Sequence, residues 1–159
     1  MTHDPRALRN AFGWFATGVA IVTTKVAGKD PIGITVNSFS SVSLDPPLVL
    51  WCLDKGSDTI DTFEACEAFT VNILSEDQKH LSNELAKSGD HSLAEVATST
   101  GENGCPRIEE ALAVFECELY ARHDAGDHII LIGQIKAFSS EQEGRPLVYH
   151  RGGYQALGA

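Results

Sequence analysis

Two runs in the last third of the chain, Val114 to His123 and His128 to Phe138, are long and rich in β-branched and aromatic residues. Only Asp124-Ala-Gly-Asp127 separates them. A link this short that contains glycine joins neighbouring strands as an antiparallel hairpin, so this pair commits the chain to a sheet with long antiparallel strands. Phe115, Cys117, Leu119 and Ala121 fall on one face of the first run.

The rest of the chain has to fit around that hairpin. Val19 to Lys25 and roughly Ile32 to Ser38 read as two more strands joined through Gly28 and Pro31, with Ile32, Ile34 and Val36 on one face. Leu48 to Leu53 is continuously apolar and too short for an independent helix, so a buried strand in the centre of a sheet is expected after the break at Asp45-Pro46-Pro47. Phe69 to Leu74 alternates as a strand, and Leu147 to His150 reads as a last one before the Gly152-Gly153 turn.

Helices fall between these strands. Asp4 before Pro5 predicts a helix with Leu8, Phe12 and Phe15 on one face lying on the core, stopped by Gly18. Ser57 is expected to cap a short helix holding Ile60 and Phe63. Ser75 and Gln78 form a capping box opening a helix to about Lys87, with Gly89 as its stop. Between His91 and Arg107 small and polar residues dominate, and a mobile surface loop with one helical turn is expected. Six or seven strands that do not alternate with helices disfavour a doubly wound sheet. A mainly β fold is expected instead, an antiparallel closed or split barrel with short flanking helices.

Composition narrows the function. Hydrophobic residues at 43% and charged residues at 21% are a globular balance, so residues 1–159 are expected to fold as one domain. The net charge of -10 repels phosphate backbones and anionic lipid, which argues against nucleic acid or membrane as partners. Cys52, Cys66, Cys105 and Cys117 make no C-x-x-C pair and the start of the chain is polar, so a reduced, cytoplasmic protein is expected. G-x-G-x-x-G after a strand, G-x-x-x-x-G-K-[ST], G-x-S-x-G and H-E-x-x-H are all missing. His123 and His128 flank the hairpin loop without a third ligand, and no metal is assigned.

Several polar clusters carry two readings each. Thr35-Val-Asn-Ser-Phe-Ser-Ser-Val-Ser43 concentrates hydroxyls around Asn37, suited either to a flavin's polar edge or to a solvent-facing strand. His128 in Gly126-Asp-His can reach a nicotinamide or a phosphate, or sit exposed in an ordinary turn. Ser57 and Thr59 read as a helix cap or a phosphate site, and Arg151 with Tyr154 as dinucleotide contacts or as packing.

Together Phe15-Ala-Thr-Gly-Val19, Thr35-Val-Asn-Ser38, Ser41-Val-Ser-Leu-Asp-Pro-Pro47, Phe69-Thr-Val-Asn72, Gly126-Asp-His128 and Pro146-Leu-Val-Tyr-His150 resemble, in order, the short-chain flavin reductase family. Its members are the reductase components of two-component flavin monooxygenases. The resemblance implies an FMN-binding split barrel of antiparallel Greek-key type that transfers hydride from NADH or NADPH to FMN or FAD. It implies a homodimer passing reduced flavin to a partner monooxygenase. Thr35, Val36, Asn37, Ser38, Ser40 and Ser41 would line the flavin, with Cys52, Leu53, Ser57 and Thr59 close by. His128 would contact the nicotinamide dinucleotide with Arg151 and Tyr154, and no side chain would be catalytic in the redox step. Where many members carry Asp-Lys-Phe, this chain has Asp90-His91-Ser92, and Lys87 is the substitute cation. The alternative is an electron carrier or sensor that keeps its FMN and turns over no pyridine nucleotide. Donor, flavin and oxygenase stay open.

Overall fold

The computed structural model describes residues 3–158. Its elements in chain order are α1 (Pro5–Phe12), β1 (Thr17–Gly18), β2 (Ala20–Thr24), β3 (Ile32–Val36), β4 (Ser40–Leu44), β5 (Pro47–Asp54), α2 (Ile60–Ala65) and β6 (Ala68–Ile73). A 3₁₀ turn (Glu76–Gln78) then leads into α3 (Lys79–Ala86), β7 (Thr98–Thr100), β8 (Pro106–Ile108), β9 (Ala113–Ala125), β10 (His128–Ser140), β11 (Val148–His150) and β12 (Gly153–Gln155).

Seven strands form one antiparallel sheet in the order β3-β2-β6-β9-β10-β5-β4. Its edge strands, β3 and β4, are joined by only Asn37, Ser38 and Phe39. Laid flat, seven strands would hold those edges roughly 29 Å apart, whereas the four Cα steps from Val36 to Ser40 reach no more than about 15 Å. The sheet therefore curls until its edges meet at a seam, giving a barrel split between β3 and β4. The strands β2 to β5 follow one another around the wall. The chain then crosses through α2 to β6 beside β2, and the β9–β10 hairpin fills the gap, a long connection of Greek-key type.

Alternation fills the barrel. Ala20, Val22, Val49, Trp51, Leu53, Phe69, Val71 and Leu131 point inward, and α2 adds Phe63, whose ring meets Trp51 edge-on at 4.8 Å. Each large apolar side chain buried there contributes about 1.5–3 kcal/mol. At Gly133 a Cβ would lie 2.5 Å from Phe69 Cζ, so only glycine lets β10 pass that ring. A second core, with Val19, Ile21, Leu74, Leu85, Leu93, Ile108 and Leu147, covers the outer face of β2.

The structure corrects several expectations. Helix α1 keeps its Asp4 cap, with Arg6 N donating to Asp4 Oδ1 at 2.9 Å, but it ends at Phe12 and buries no residue. Leu8, Phe12 and Phe15 are 42%, 68% and 80% exposed, because the described chain provides nothing for that face to pack on. The apolar strand from Leu48 to Leu53 has neighbours on both sides yet lies next to the edge strand β4, not at the middle of the sheet. The second half of the hydroxyl run enters that strand, Ser40–Leu44, which is mostly exposed, in line with the solvent-facing reading of the run. Ser57 does not cap α2: its Oγ accepts from Thr59 N at 3.2 Å, and Thr59 holds the cap position without a side-chain bond. The capping box at Ser75 and Gln78 forms, but it opens the 3₁₀ turn ahead of α3.

The 91–107 stretch is built into the fold. It contains β7 and most of β8, and it buries Leu93 and Cys105. His91, at φ 53°, is buried beside Gly33, whose N–H donates to His91 O at 3.1 Å. Long-range side-chain bonds invisible to local composition hold this stretch: Ile108 N donates to Asn72 Oδ1 at 2.9 Å, and Asn103 Nδ2 donates to Phe69 O at 3.1 Å.

Candidate functional site

The seam is where the barrel opens. A cleft lies on its β3 side, walled by Thr35, Val36 and Asn37 at the end of β3, by Ser82 and Ala86 of α3, and by Val19, Tyr149 and Tyr154. A smaller hollow adjoins it between β1 and Phe39, and Val19 and Asn37 line both. Asn37 is exposed, and its amide makes no hydrogen bond among the described residues, so a donor and an acceptor stand free at the junction.

Its neighbours in the hydroxyl run are occupied with structure. Thr35 Oγ1 donates to Ser82 O at 2.8 Å and ties β3 to α3. Ser38 Oγ accepts from Cys52 N at 2.9 Å and donates to Cys52 O at 3.2 Å, closing the seam against β5. Burial pushes the half-buried Cys52 thiol up, and the Ser38 hydrogen bond opposes the shift. Leu53 is 1% exposed with its side chain in the barrel core, so only its backbone can meet a ligand. Ser40 and Ser41 lie exposed on β4 and do not line the cleft.

A second polar locus lies beyond the end of β5. Ser57 and Thr59 share a hydroxyl contact of 2.8 Å, and Asp58 Oδ2 accepts from Gly89 N at 2.9 Å, which ties this loop to the segment after α3. Lys87 stands two residues before Gly89, with Glu84 Oε2 at 3.5 Å. His128 pairs in register with Asp54 at the same end of β5, and Lys55 N donates to Asp127 O at 2.9 Å. His128 Nδ1 lies 2.7 Å from Asp127 Oδ1. The hydrogen bond from His128, then its charge, holds the Asp127 carboxyl below the ordinary value.

Tyr154 and Arg151 part company. Tyr154 Oη meets Ser82 Oγ at 2.6 Å inside the cleft, whereas the Arg151 guanidinium stacks 4.1 Å from the Trp14 ring centroid. Arg151 N also donates to Gly13 O at 2.9 Å, so this residue fastens the end of α1 to the β11–β12 turn.

The structure thus brings Thr35, Val36, Asn37 and Tyr154 to one cleft. Ser38, Cys52 and Leu53 line neither hollow, and Ser57, Thr59 and His128 gather at the second locus, with the Lys87 segment tied to it through Gly89. Sequence reasoning missed Ser82, Ala86 and Val19 as site residues, and it read Tyr149 only as part of the last strand. The spacing of Ser82 and Ala86, four apart on a helix whose apolar residues are Leu81 and Leu85, was the available signal.

Comparison with known proteins agrees with this geometry. The family described as "Flavin reductase like domain" matches residues 12–158. "Probable flavin reductase" of Rhizobium meliloti (strain 1021) is 49% identical over 152 residues, covering 95% of this chain and 48% of that protein. "FMN reductase (NADH) SmoA" of Agrobacterium fabrum is 42% identical, covering 95% of this chain and 85% of that protein. Among solved structures, Streptomyces globisporus NADH:FAD oxidoreductase SgcE6 in complex with NAD and FAD fragments has TM-score 0.90 and 33% identity, covering 99% and 97% of the two chains. The chain spans about half the length of the Rhizobium relative. A curled antiparallel sheet with a polar seam is the architecture of a split-barrel flavin-handling domain, and this chain belongs to the flavin reductase-like family.

Proposed function

We propose that this chain is an NAD(P)H:flavin oxidoreductase that reduces FMN or FAD and passes the reduced flavin to a partner monooxygenase. The observation that carries the reading is the free amide of Asn37 at the junction of two clefts, in a fold shared with a reductase solved with NAD and FAD fragments. A bound flavin and pyridine nucleotide would supply the hydride chemistry, and the protein's part would be to align them.

The residues present fit a flavin. Asn37 offers a donor and an acceptor to the polar edge of its ring. Val36 and Val19 give an apolar wall, and the half-buried Ser57 hydroxyl, braced by buried Thr59, suits a phosphate together with Lys87. The tethers from Thr35 to α3 and from Ser38 to β5 fix the seam before a ligand arrives, so little ordering is left to do on binding. His128, held by Asp127, positions the nicotinamide nucleotide.

The homodimer belongs to the same proposal. Leu8, Phe12, Trp14 and Phe15 form an exposed apolar patch beside the Arg151 turn, and a second copy of the chain would cover it. We place the protein in the cytoplasm as one domain. No helix among the described residues is long and apolar enough to cross a membrane.

The test is oxidation of NADH and NADPH by purified protein with FMN, FAD and riboflavin supplied in turn. Turnover that requires added flavin supports the reductase. A protein that stays yellow through purification and consumes no pyridine nucleotide is instead the electron carrier.

A further inference from the structure

Helix α3 borders the cleft with Ser82 and Ala86. Lys79 stands three residues before Ser82 and seven before Ala86, which puts all three on one stripe of the helix. Its ammonium sits 5.4 Å from the centroid of Tyr154, the cleft ring that Ser82 pins through its hydroxyl. In a chain of net charge -10, Lys79 makes no ion pair among the described residues. A cation held over an aromatic ring at the lip of a cleft, without a carboxylate beside it, is available to an anion arriving from solvent.

Lys87 follows at the other end of the same helix, about 12 Å along its axis. The Asp58–Gly89 bond ties its segment to the Ser57–Thr59 loop, and its ammonium lies 3.5 Å from Glu84 Oε2. The cleft is therefore bracketed by two cations, one at each end of its helical wall, and a reductase of this kind must seat two anionic ligands at once.

We propose that Lys79 binds the pyrophosphate of the pyridine dinucleotide where it passes Tyr154, and that the flavin phosphate is held separately at the Lys87 end. This assignment rests on the reductase reading above and divides only the phosphate groups of its two substrates between the ends of α3.

ADP-ribose, which carries the pyrophosphate without the nicotinamide, is the probe. Calorimetric titration of wild type, Lys79→Gln, Lys79→Arg and Lys87→Gln is combined with steady-state NADH oxidation using FMN. Lys79→Gln is expected to weaken ADP-ribose and raise KM for NADH about tenfold, more than it lowers kcat, with FMN affinity held within about twofold. Lys79→Arg restores most of the loss, Lys87→Gln shows the opposite preference, and added salt weakens ADP-ribose more in wild type than in Lys79→Gln. Unchanged ADP-ribose affinity in Lys79→Gln, a larger loss for FMN than for ADP-ribose, or no ADP-ribose binding by wild type overturns the assignment. Lys79-dependent ADP-ribose binding in a protein that oxidises no NADH with any flavin upholds the subsite and removes the reductase reading instead.

Discussion

Two polar regions of this molecule use similar residues in opposite ways. On the outer wall of β2, β6 and β9, Thr23, Asn72, Asn103 and Glu116 bond almost entirely within the protein. Asn72 Nδ2 donates to Ile21 O at 3.0 Å, and Asn103 Oδ1 accepts from Cys105 N at 3.0 Å. Glu116 Oε2 accepts from Glu102 N at 2.6 Å while its Oε1 pairs with Arg107 at 3.1 Å. At the seam, by contrast, Asn37 is exposed with its amide unspent. A buried polar group without a partner costs about 1–3 kcal/mol, so the wall keeps such residues only as a saturated network. The seam keeps its open amide because water can serve it until a ligand does.

Substitutions can break or sharpen this contrast. Glu116→Ala strips the acceptor from two backbone N–H groups and leaves Arg107 bonded to Ser139 without its carboxylate. A stability loss of about 3 kcal/mol in urea unfolding is expected. A loss within the ordinary scatter of surface changes would show that the wall is not a network at all. Asn72→Ala, which frees Ile108 N and Ile21 O together, should cost about 2 kcal/mol by the same measurement. Asn37→Ala should do the reverse, lowering flavin affinity about five- to tenfold in a fluorescence titration while stability moves by less than about 0.5 kcal/mol. If Asn37→Ala destabilises as Asn72→Ala does, the two regions are alike and the seam loses its claim. Smallest, His128→Ala should raise KM for NADH about three- to fivefold and lower kcat by less, because its contact is made in the ground and transition states alike. Unchanged steady-state constants would remove His128 from the site.

The same contrast explains what could be read from the sequence. The long β9–β10 hairpin, the β2–β3 hairpin and the Ser75–Gln78 box were visible because local pattern and tertiary role agree. Strand β4 was legible only as one of two readings of the hydroxyl run, since Ser40-Ser-Val-Ser-Leu44 is mostly exposed and has neither the alternation nor the residues of a half-buried strand. The 91–107 stretch was misread because Asn72 and Asn103, far apart in sequence, hold it down. Helix α1 was read as a core helix from a sound apolar face, Leu8 and Phe12, whose counterpart does not lie within the described chain.

For the site, the Thr35–Ser38 run was conspicuous. Its composition did not reveal that the Thr35 and Ser38 hydroxyls are tethers and that Asn37 alone is open. Lys79 was overlooked since nothing in a helical lysine reveals the ring it lies over.

The seam has a thermodynamic consequence. Only three residues stitch the first edge of the sheet to the last, and the first two divide the work: Asn37 lines the cleft and Ser38 fastens β5. A guest gripping Asn37 binds only the folded barrel, so occupancy shifts the unfolding equilibrium without reshaping a slit that is already fastened. Heat tolerance then becomes a gauge of ligand concentration, readable without any turnover.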